Sequence, residues 1–403
     1  MAAPIAASRM IRRALFAGLA VLAAGCASKP PPTTQPGSQA SPAVPEPTQR
    51  PAQAGPARVA LLVPLGTSDE RAAATARAIR NAAELAVSGP VGRSVSVTSY
   101  DTSGTPQGAA AAAEKALAAG AEIVLGPLFA ASTTAVAAVT RQAGVPVLSF
   151  STDTSVAGGG VWVTGFAPEA EVERILAFAA GQGIGSVAVY APAVPYGDAA
   201  LRGLDGAASA VGVTVTAVES YPRSFQDIEN TSPGFARRAL DSGAEAVLMP
   251  DFSQGLAIAA SFLAFHGLPQ PQFRYLGTGQ WESGETLRAP ELEGGWFAGA
   301  DRTATEAFFN RYSTRYGQRP PFFAVLGYDA ARIAAVVAAD GSASGGARFS
   351  AQSLTRSGGF EGAVGAVRLR PDGRTDRGLA VLQVSRGRFE VLDPAPRRFD
   401  IGS

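Results

Sequence analysis

The chain has 403 residues, 34 basic against 33 acidic side chains, one histidine and one cysteine, for a formal charge of +1. That balance offers nothing to a nucleic-acid partner, and a lone cysteine excludes a disulfide framework, so the fold rests on its apolar core alone.

At the N-terminus Arg9, Arg12 and Arg13 precede an uncharged run of twelve residues, Ala14 to Gly25. A membrane-spanning helix needs about 20 apolar residues, so this run is the hydrophobic region of a signal peptide. It ends in Leu22-Ala23-Ala24-Gly25-Cys26, which resembles the lipobox cut by the lipoprotein signal peptidase, with Ala23 where leucine is usual. Cys26 is therefore read as a thioether-lipidated membrane anchor in preference to a free thiol. Removing residues 1–25 takes the formal charge from +1 to −2. Residues 26–57 form a tether, in which nine prolines punctuate SKPPPTTQPGSQASPAVPEPTQRPAQAGP. Polyproline II rises about 3.1 Å per residue, so the tether reaches about 90 Å when fully extended. It is either a spacer that clears the lipid surface or a leash long enough to reach a partner.

From Arg58 strands and helices alternate, the pattern of a parallel sheet covered on both faces. Val59–Pro64 is a buried strand, followed by a helix over 70–88, a strand over 95–101, a helix over 107–119, a strand over 122–126, a helix over 132–142 and a strand over 145–149. A second series follows Thr164, with strands at 187–191, 213–221, 246–250 and 273–277 and helices at 169–182, 198–210, 231–242 and 255–266. Two such series in tandem predict an α/β protein of two doubly wound lobes.

RVALLVPLG, AEIVLGPLFAASTTAVAAVTRQAGVPVLSFST, SVAVYAPAVPYGDAALRGL, YPRSFQDIENTSPGFARRALDSGAEAVLMPDF and GYDAARIAAVV, in that order and spacing, resemble the leucine-binding-protein group of type I periplasmic binding proteins. The resemblance implies two parallel-sheet lobes joined by three crossovers, with lobe 1 at 58–165 plus 297–342 and lobe 2 at 166–296 plus 343–403. It also implies a closing hairpin in GFEGAVGAVRLRPDGRTDRGLAVLQVSRGRF, turning at Pro371-Asp372-Gly373.

Ligands of open α/β folds sit beyond the carboxyl ends of the strands. Here that region holds Ser132, Ser151, Thr152, Thr154, Tyr196, Asp251, Gln280 and Trp281. In amino-acid-binding relatives the loops matching the first four hold the ligand carboxylate, although Ser and Thr equally serve as helix caps. Tyr196 matches an aromatic that stacks on ligand, or else fixes a turn at the cleft rim. Those relatives carry an aromatic after the strand matching 247–250 and a glutamate after the one matching 275–277. This chain has Asp251-Phe252 and Thr278-Gly279-Gln280-Trp281 there, leaving Asp251 or Glu282 as substitutes for the ammonium partner. A buried ammonium without a carboxylate costs several kcal/mol, on the order of 3 or more.

No enzyme signature is present: no Gly-x-Ser-x-Gly elbow, no Walker loop and no Ser-x-x-Lys. His266 precedes Gly267 at the end of an apolar helix and reads as its C-cap rather than a catalytic or metal-binding group, and no cofactor is expected. A lipid-anchored binding fold on a long tether, with altered ammonium anchors, resembles the lipoprotein activators of penicillin-binding proteins. That resemblance implies a non-enzymatic regulator whose partner is a peptidoglycan synthase, and Ala27 after the lipidated cysteine implies sorting to the outer membrane, facing the periplasm. The enteric members of that group carry an additional helical-repeat domain, whereas here the tether leads directly into the first strand. The alternative is a lipid-anchored substrate-binding protein that hands amino acids or similar small polar ligands to an ABC transporter.

Overall fold

A computed structural model of the chain describes residues 55–341 and 347–399; Cys26 and nearly all of the proline-rich stretch lie outside these residues. The first series runs β1 (Ala57–Val63), α1 (Glu70–Ala86), β2 (Val95–Asp101), α2 (Pro106–Ala118), β3 (Ile123–Leu125), α3 (Ala130–Ala143), β4 (Val147–Ser149) and β5 (Val161–Val163). Its strands form one parallel sheet in the order β2-β1-β3-β4-β5. Central β1 is buried on both faces from Val59 to Val63, which is why it reads as a continuous apolar run. Local chemistry sets the helix starts: Asp69 accepts the amides of Arg71 and Ala72 before α1.

The second series comprises α4 (Pro168–Gly181), β6 (Ser186–Pro192), α5 (Pro195–Val211), β7 (Thr214–Tyr221), α6 (Phe225–Asp241), β8 (Ala246–Leu248), α7 (Ser253–Phe265), β9 (Arg274–Gly277), α8 (Gly284–Arg288) and β10 (Trp296–Gly299). After it come α9 (Arg302–Tyr316), α10 (Ala324–Gly341), α11 (Ala351–Leu354), β11 (Phe360–Glu361), β12 (Ala366–Leu369), β13 (Thr375–Arg377), β14 (Ala380–Ser385) and β15 (Arg388–Asp393). The second sheet has seven strands in the order β15-β14-β10-β9-β8-β6-β7, parallel except where β14 and β15 join antiparallel at one edge. The mixed α/β architecture of two parallel-strand sheets with helices is the one expected from the sequence.

Three details differ from expectation. First, α6 begins at Phe225 rather than Thr231, because Ser224 caps it by accepting the amide of Asp227 and the helix then runs through Pro233. Around that proline the hydroxyls of Thr231 and Ser232 donate to the carbonyls of Asp227 and Ile228. Second, residues 297–299, expected in the first lobe, continue β10 and pair with β14 of the second sheet. Third, residues 347–377, expected with the second lobe, pack beside the first. The amide of Val163 donates to the carbonyl of Gly373, Trp162 Nε1 donates to Arg370 O at 2.8 Å, and Ala363 N donates to Asp329 of α10 at 2.6 Å. The 371–373 turn therefore closes the small antiparallel sheet β11-β12-β13, while a separate hairpin, β14–β15, ends the second sheet. Sequence periodicity registers a hairpin but carries nothing about which sheet edge it meets.

A buried cluster stands where the chain passes between the sheets. Arg377 donates through Nη1 to Asp329 Oδ2 at 2.9 Å and through Nε and Nη2 to Thr164 O at 3.0 and 2.6 Å. Its guanidinium lies 4.2 Å from the ring centroid of Phe166, which packs on Phe322 at 4.9 Å. Nearby, Arg174 of α4 donates to Leu379 O at 2.9 Å and pairs with Asp393 at 2.6 Å. The first crossover (164–167) and the last (378–379) are thus both held by arginine side chains.

Candidate functional site

The residues singled out above lie in the loops and helix starts that follow strands of the two sheets. On the first sheet, Gly126 follows β3 at φ +86, and a Cβ there would collide with the carbonyl of Leu62. Ser149, at the end of β4, shares a hydrogen bond of 2.7 Å with Thr133 and accepts the amide of Ser151 at 3.1 Å. Ser151 in turn accepts the amide of Asp153 at 3.0 Å. Ser132 is buried in the first turn of α3, and Thr152 is exposed. The hydroxyls of Ser149 and Ser151 thus organise the loop, whereas the sequence by itself points only to ligand binding or helix capping for Ser151.

Thr154 does something else: its Oγ1 donates to Glu169 Oε1, at the start of α4, at 2.9 Å. Arg202 of α5 lies 3.3 Å from Glu169 and 3.9 Å from Asp153, so side chains from loops of the first sheet and helices of the second meet here. Burial works to raise Asp153, but the Ser155 hydroxyl and amide and the Arg202 charge outweigh it and hold the carboxyl below its ordinary range.

On the second sheet Asp251, just after β8, is fully buried. Its carboxylate accepts Tyr221 OH at 2.6 Å, Arg223 Nε at 2.7 Å and its neighbour's amide, Phe252 N, at 2.7 Å. The Arg223 guanidinium lies over the Phe252 ring, 3.8 Å from its centroid, and also donates to the Phe252 carbonyl. Glu282 pairs with Arg302 at 2.5 Å. Each of the two carboxylates that could have met a ligand ammonium therefore already has an arginine.

Gln280 is exposed in the turn after β9, whereas Trp281, considered as a ligand platform, is fully buried and donates from Nε1 to Met249 O at 2.9 Å. Its ring occupies the space beside Gly277, where any Cβ would collide with it. Sequence placed Trp281 correctly after β9 but could not show that the small residue before it draws the indole into the core.

The residue that sequence reading missed is Glu171. It is 5 % exposed, accepts Tyr196 OH at 2.6 Å, and has no basic group within ion-pair distance among the described residues. Burial pushes its carboxyl up to about 7, against the opposing Tyr196 hydroxyl and Gly279 amide and with some help from the Glu169 charge. Burial and the adjacent Glu171 also raise the Tyr196 hydroxyl well above its ordinary value, so it remains a donor. Pro168-Glu169-Ala170-Glu171 reads as an acidic first turn favoured by the helix dipole. The available signal was spacing: Glu171 lies four residues before Ile175, on the apolar stripe that Val172, Ile175, Leu176 and Ala179 bury.

Two mainly parallel sheets covered by helices, with a loop of the first meeting helices of the second at Glu169 and Arg202, form an α/β fold of the kind that carries ligand sites beyond its strand ends. Residues 56–388 match the family model described as periplasmic binding protein, and the chain belongs to that family, whose members are binding proteins. No curated protein matches the sequence. Among solved structures, a Rhodospirillum rubrum protein assigned to branched-chain amino acid ABC transport aligns with a TM-score of 0.71 at 23% identity, over 84% of this chain and 100% of its own. An ABC transporter substrate-binding protein from Desulfitobacterium hafniense, in complex with Leu, aligns at 0.60 and 21% identity over 83% of this chain and 99% of its own. A solute-binding protein from Rhodopseudomonas palustris in complex with 3,4-dihydroxybenzoic acid aligns at 0.57 and 19% identity over 86% and 97%. Identities this low speak for the fold alone.

Proposed function

We propose that the chain is a periplasmic substrate-binding protein that encloses a small polar ligand between its two sheets for an ABC transporter. The observation that carries this reading is the pairing of two partly exposed rings at the strand ends, Tyr196 and Phe252, edge to face at 6.2 Å, with the Tyr196 hydroxyl on a buried carboxyl that lacks a base. A wall of this kind, aromatic with a few aimed polar groups, is what small-molecule sites are made of. Asp251 and Glu282 are already paired with arginines, so leucine in the pose of the amino-acid binders should bind weakly. A thermal-shift screen of the purified chain against small polar ligands tests the reading. A hit present at about 100 times its Kd stabilises by about 2.7 kcal/mol, and Tyr196→Ala should weaken it about tenfold or more. A broad screen without a hit, or a hit indifferent to both Tyr196→Ala and Phe252→Ala, would overturn it.

The arginine-paired carboxylates also favour a second reading, an outer-membrane lipoprotein anchored through Cys26 that activates a peptidoglycan synthase of the penicillin-binding class by contact. One two-armed experiment tests it. In cells, a fatty-acid label should be lost in Cys26→Ala. In a purified assay, the unanchored chain should still raise the rate of a synthase from the same organism, because distance no longer matters. Label retained in the variant removes the anchor, and an unchanged synthase rate removes the activator.

A further inference from the structure

We propose that the cleft end of α4 is a cation subsite, in which Glu169 and Glu171 together take an ammonium, amidinium or guanidinium group of the ligand while Tyr196 and Phe252 flank its carbon skeleton. This inference rests on the cleft being a ligand site and narrows the class of ligand.

The charge inventory is the first argument. Among the described residues, Arg202 and Arg223 are the bases within ion-pair distance of Asp153, Glu169 and Asp251, with Arg374 further from Glu169 and felt there only through its charge. Arg223 is committed to Asp251 at 2.7 Å, and Arg202 is shared between Glu169 at 3.3 Å and Asp153 at 3.9 Å. Glu171 is left with the hydroxyl of Tyr196 and the amide of Gly279, two neutral donors. The second argument is a polar atom without a partner: Glu169 is 7 % exposed and its Oε2 is buried with no hydrogen bond. A buried carboxylate oxygen in that position is costly until a donor meets it, and a cationic donor meets it best.

The third argument is what borders Glu171. A Cβ at Gly279 would stand 2.7 Å from Glu171 Oε1 and 3.5 Å from the carbonyl oxygen of Ala298. At 2.7 Å that Cβ would collide with the carboxyl, so glycine is what lets the loop after β9 lie against Glu171 with its own amide on it, and Gly279 is itself partly exposed. The partly exposed rings of Tyr196 and Phe252, edge to face at 6.2 Å, suit a cation's carbon chain or the cation itself.

The proton balance follows. With its carboxyl pushed up to about 7, Glu171 is largely protonated at pH 6, so a bound cation should expel close to one proton to solvent and leave a carboxylate paired with the ligand. The other ionisable groups facing it are Glu169 on its own helix and Tyr196 on α5; around Glu169 stand Asp153, Arg202 and, by charge rather than contact, Glu173 and Arg374.

Calorimetry of the full chain with agmatine and putrescine, beside 1,4-butanediol and leucine, tests the subsite. Titrations at pH 6 in two buffers of different ionisation heat read the proton count. At least one of the two cations should bind at least about tenfold tighter than both comparison compounds, releasing close to one proton. Glu171→Gln should abolish the release and weaken binding about tenfold or more. Glu169→Gln should weaken binding but keep the release, with melting curves confirming that both variants are folded. Failure of both cations, or affinity unchanged in Glu171→Gln, overturns the subsite. If an uncharged or anionic ligand then binds in dependence on Tyr196 and Phe252, the cleft reading stands and only the cation subsite falls; if nothing binds, both fall.

Discussion

Replacing Arg377 by Ala should lower the melting temperature by on the order of 10 °C, because it strands a buried carboxyl and unpins the chain where the two sheets join, at an expected cost of about 3–5 kcal/mol. The side chains of Arg377 and Asp329 are 4% and 2% exposed, and the arginine also satisfies the carbonyl of Thr164. Burial holds the Asp329 carboxyl above its ordinary range even though the Arg377 charge and the Ala363 amide oppose it. Desolvation thus outweighs attraction at this aspartate, and the pair matters more for its geometry than for its charges. The double variant Arg377→Met, Asp329→Leu should recover only the part of the loss that comes from the stranded carboxyl, because Thr164 O and Ala363 N still lose their partners. A single Arg377→Ala variant that melts within about 2 °C of the parent would show that the cluster does not hold the crossovers.

Glu171→Gln should remove a pH dependence of stability that the parent chain shows between about 4.5 and 7. The folded carboxyl is raised from 4.5 to about 7, so its favourable contribution is full below 4.5, where the acid is protonated in both states. It is lost as pH rises through the folded value, because the unfolded chain ionises first and is favoured. At 1.36 kcal/mol per pKa unit the loss is on the order of 3 kcal/mol. Urea unfolding at pH 4.5 and pH 8 reads it directly. Parent and variant should be close at the lower pH, and the glutamine chain should be the more stable at the higher one. Parallel curves at the two pH values would mean that Glu171 is not the buried, baseless acid described here, and the cation subsite would lose its proton-release signature with it.

The sequence by itself determined whatever depends on neighbours along the chain. The apolar run Val59–Val63 is a buried strand, and His266 does close α7 ahead of Gly267 at φ +97. Asp69 caps α1 because its carboxylate reaches amides two and three residues on, and the same local rule puts Ser224 at the start of α6, although periodicity alone places that start at Thr231. The alternation of such segments sufficed for the fold class, since covering both faces of a parallel sheet demands that order of elements. The candidate site was legible only in outline: the sequence singles out Tyr196 and Asp251, but not the side chains they bond in the structure.

Only the tertiary structure decided those partners. Tyr196 lies 25 residues from Glu171, Arg223 lies 28 from Asp251, and Arg377 lies 213 from Thr164. Nothing in local propensity selects such pairs. They form because the crossovers bring helix starts and strand ends to one place, where each buried polar atom must find a partner from whatever segment the topology delivers. Glu171 shows the limit of the sequence clearly. In the chain it is an ordinary acid in a helix's first turn, and only the closure of α5 and the β9 loop over it makes it a buried acid without a base.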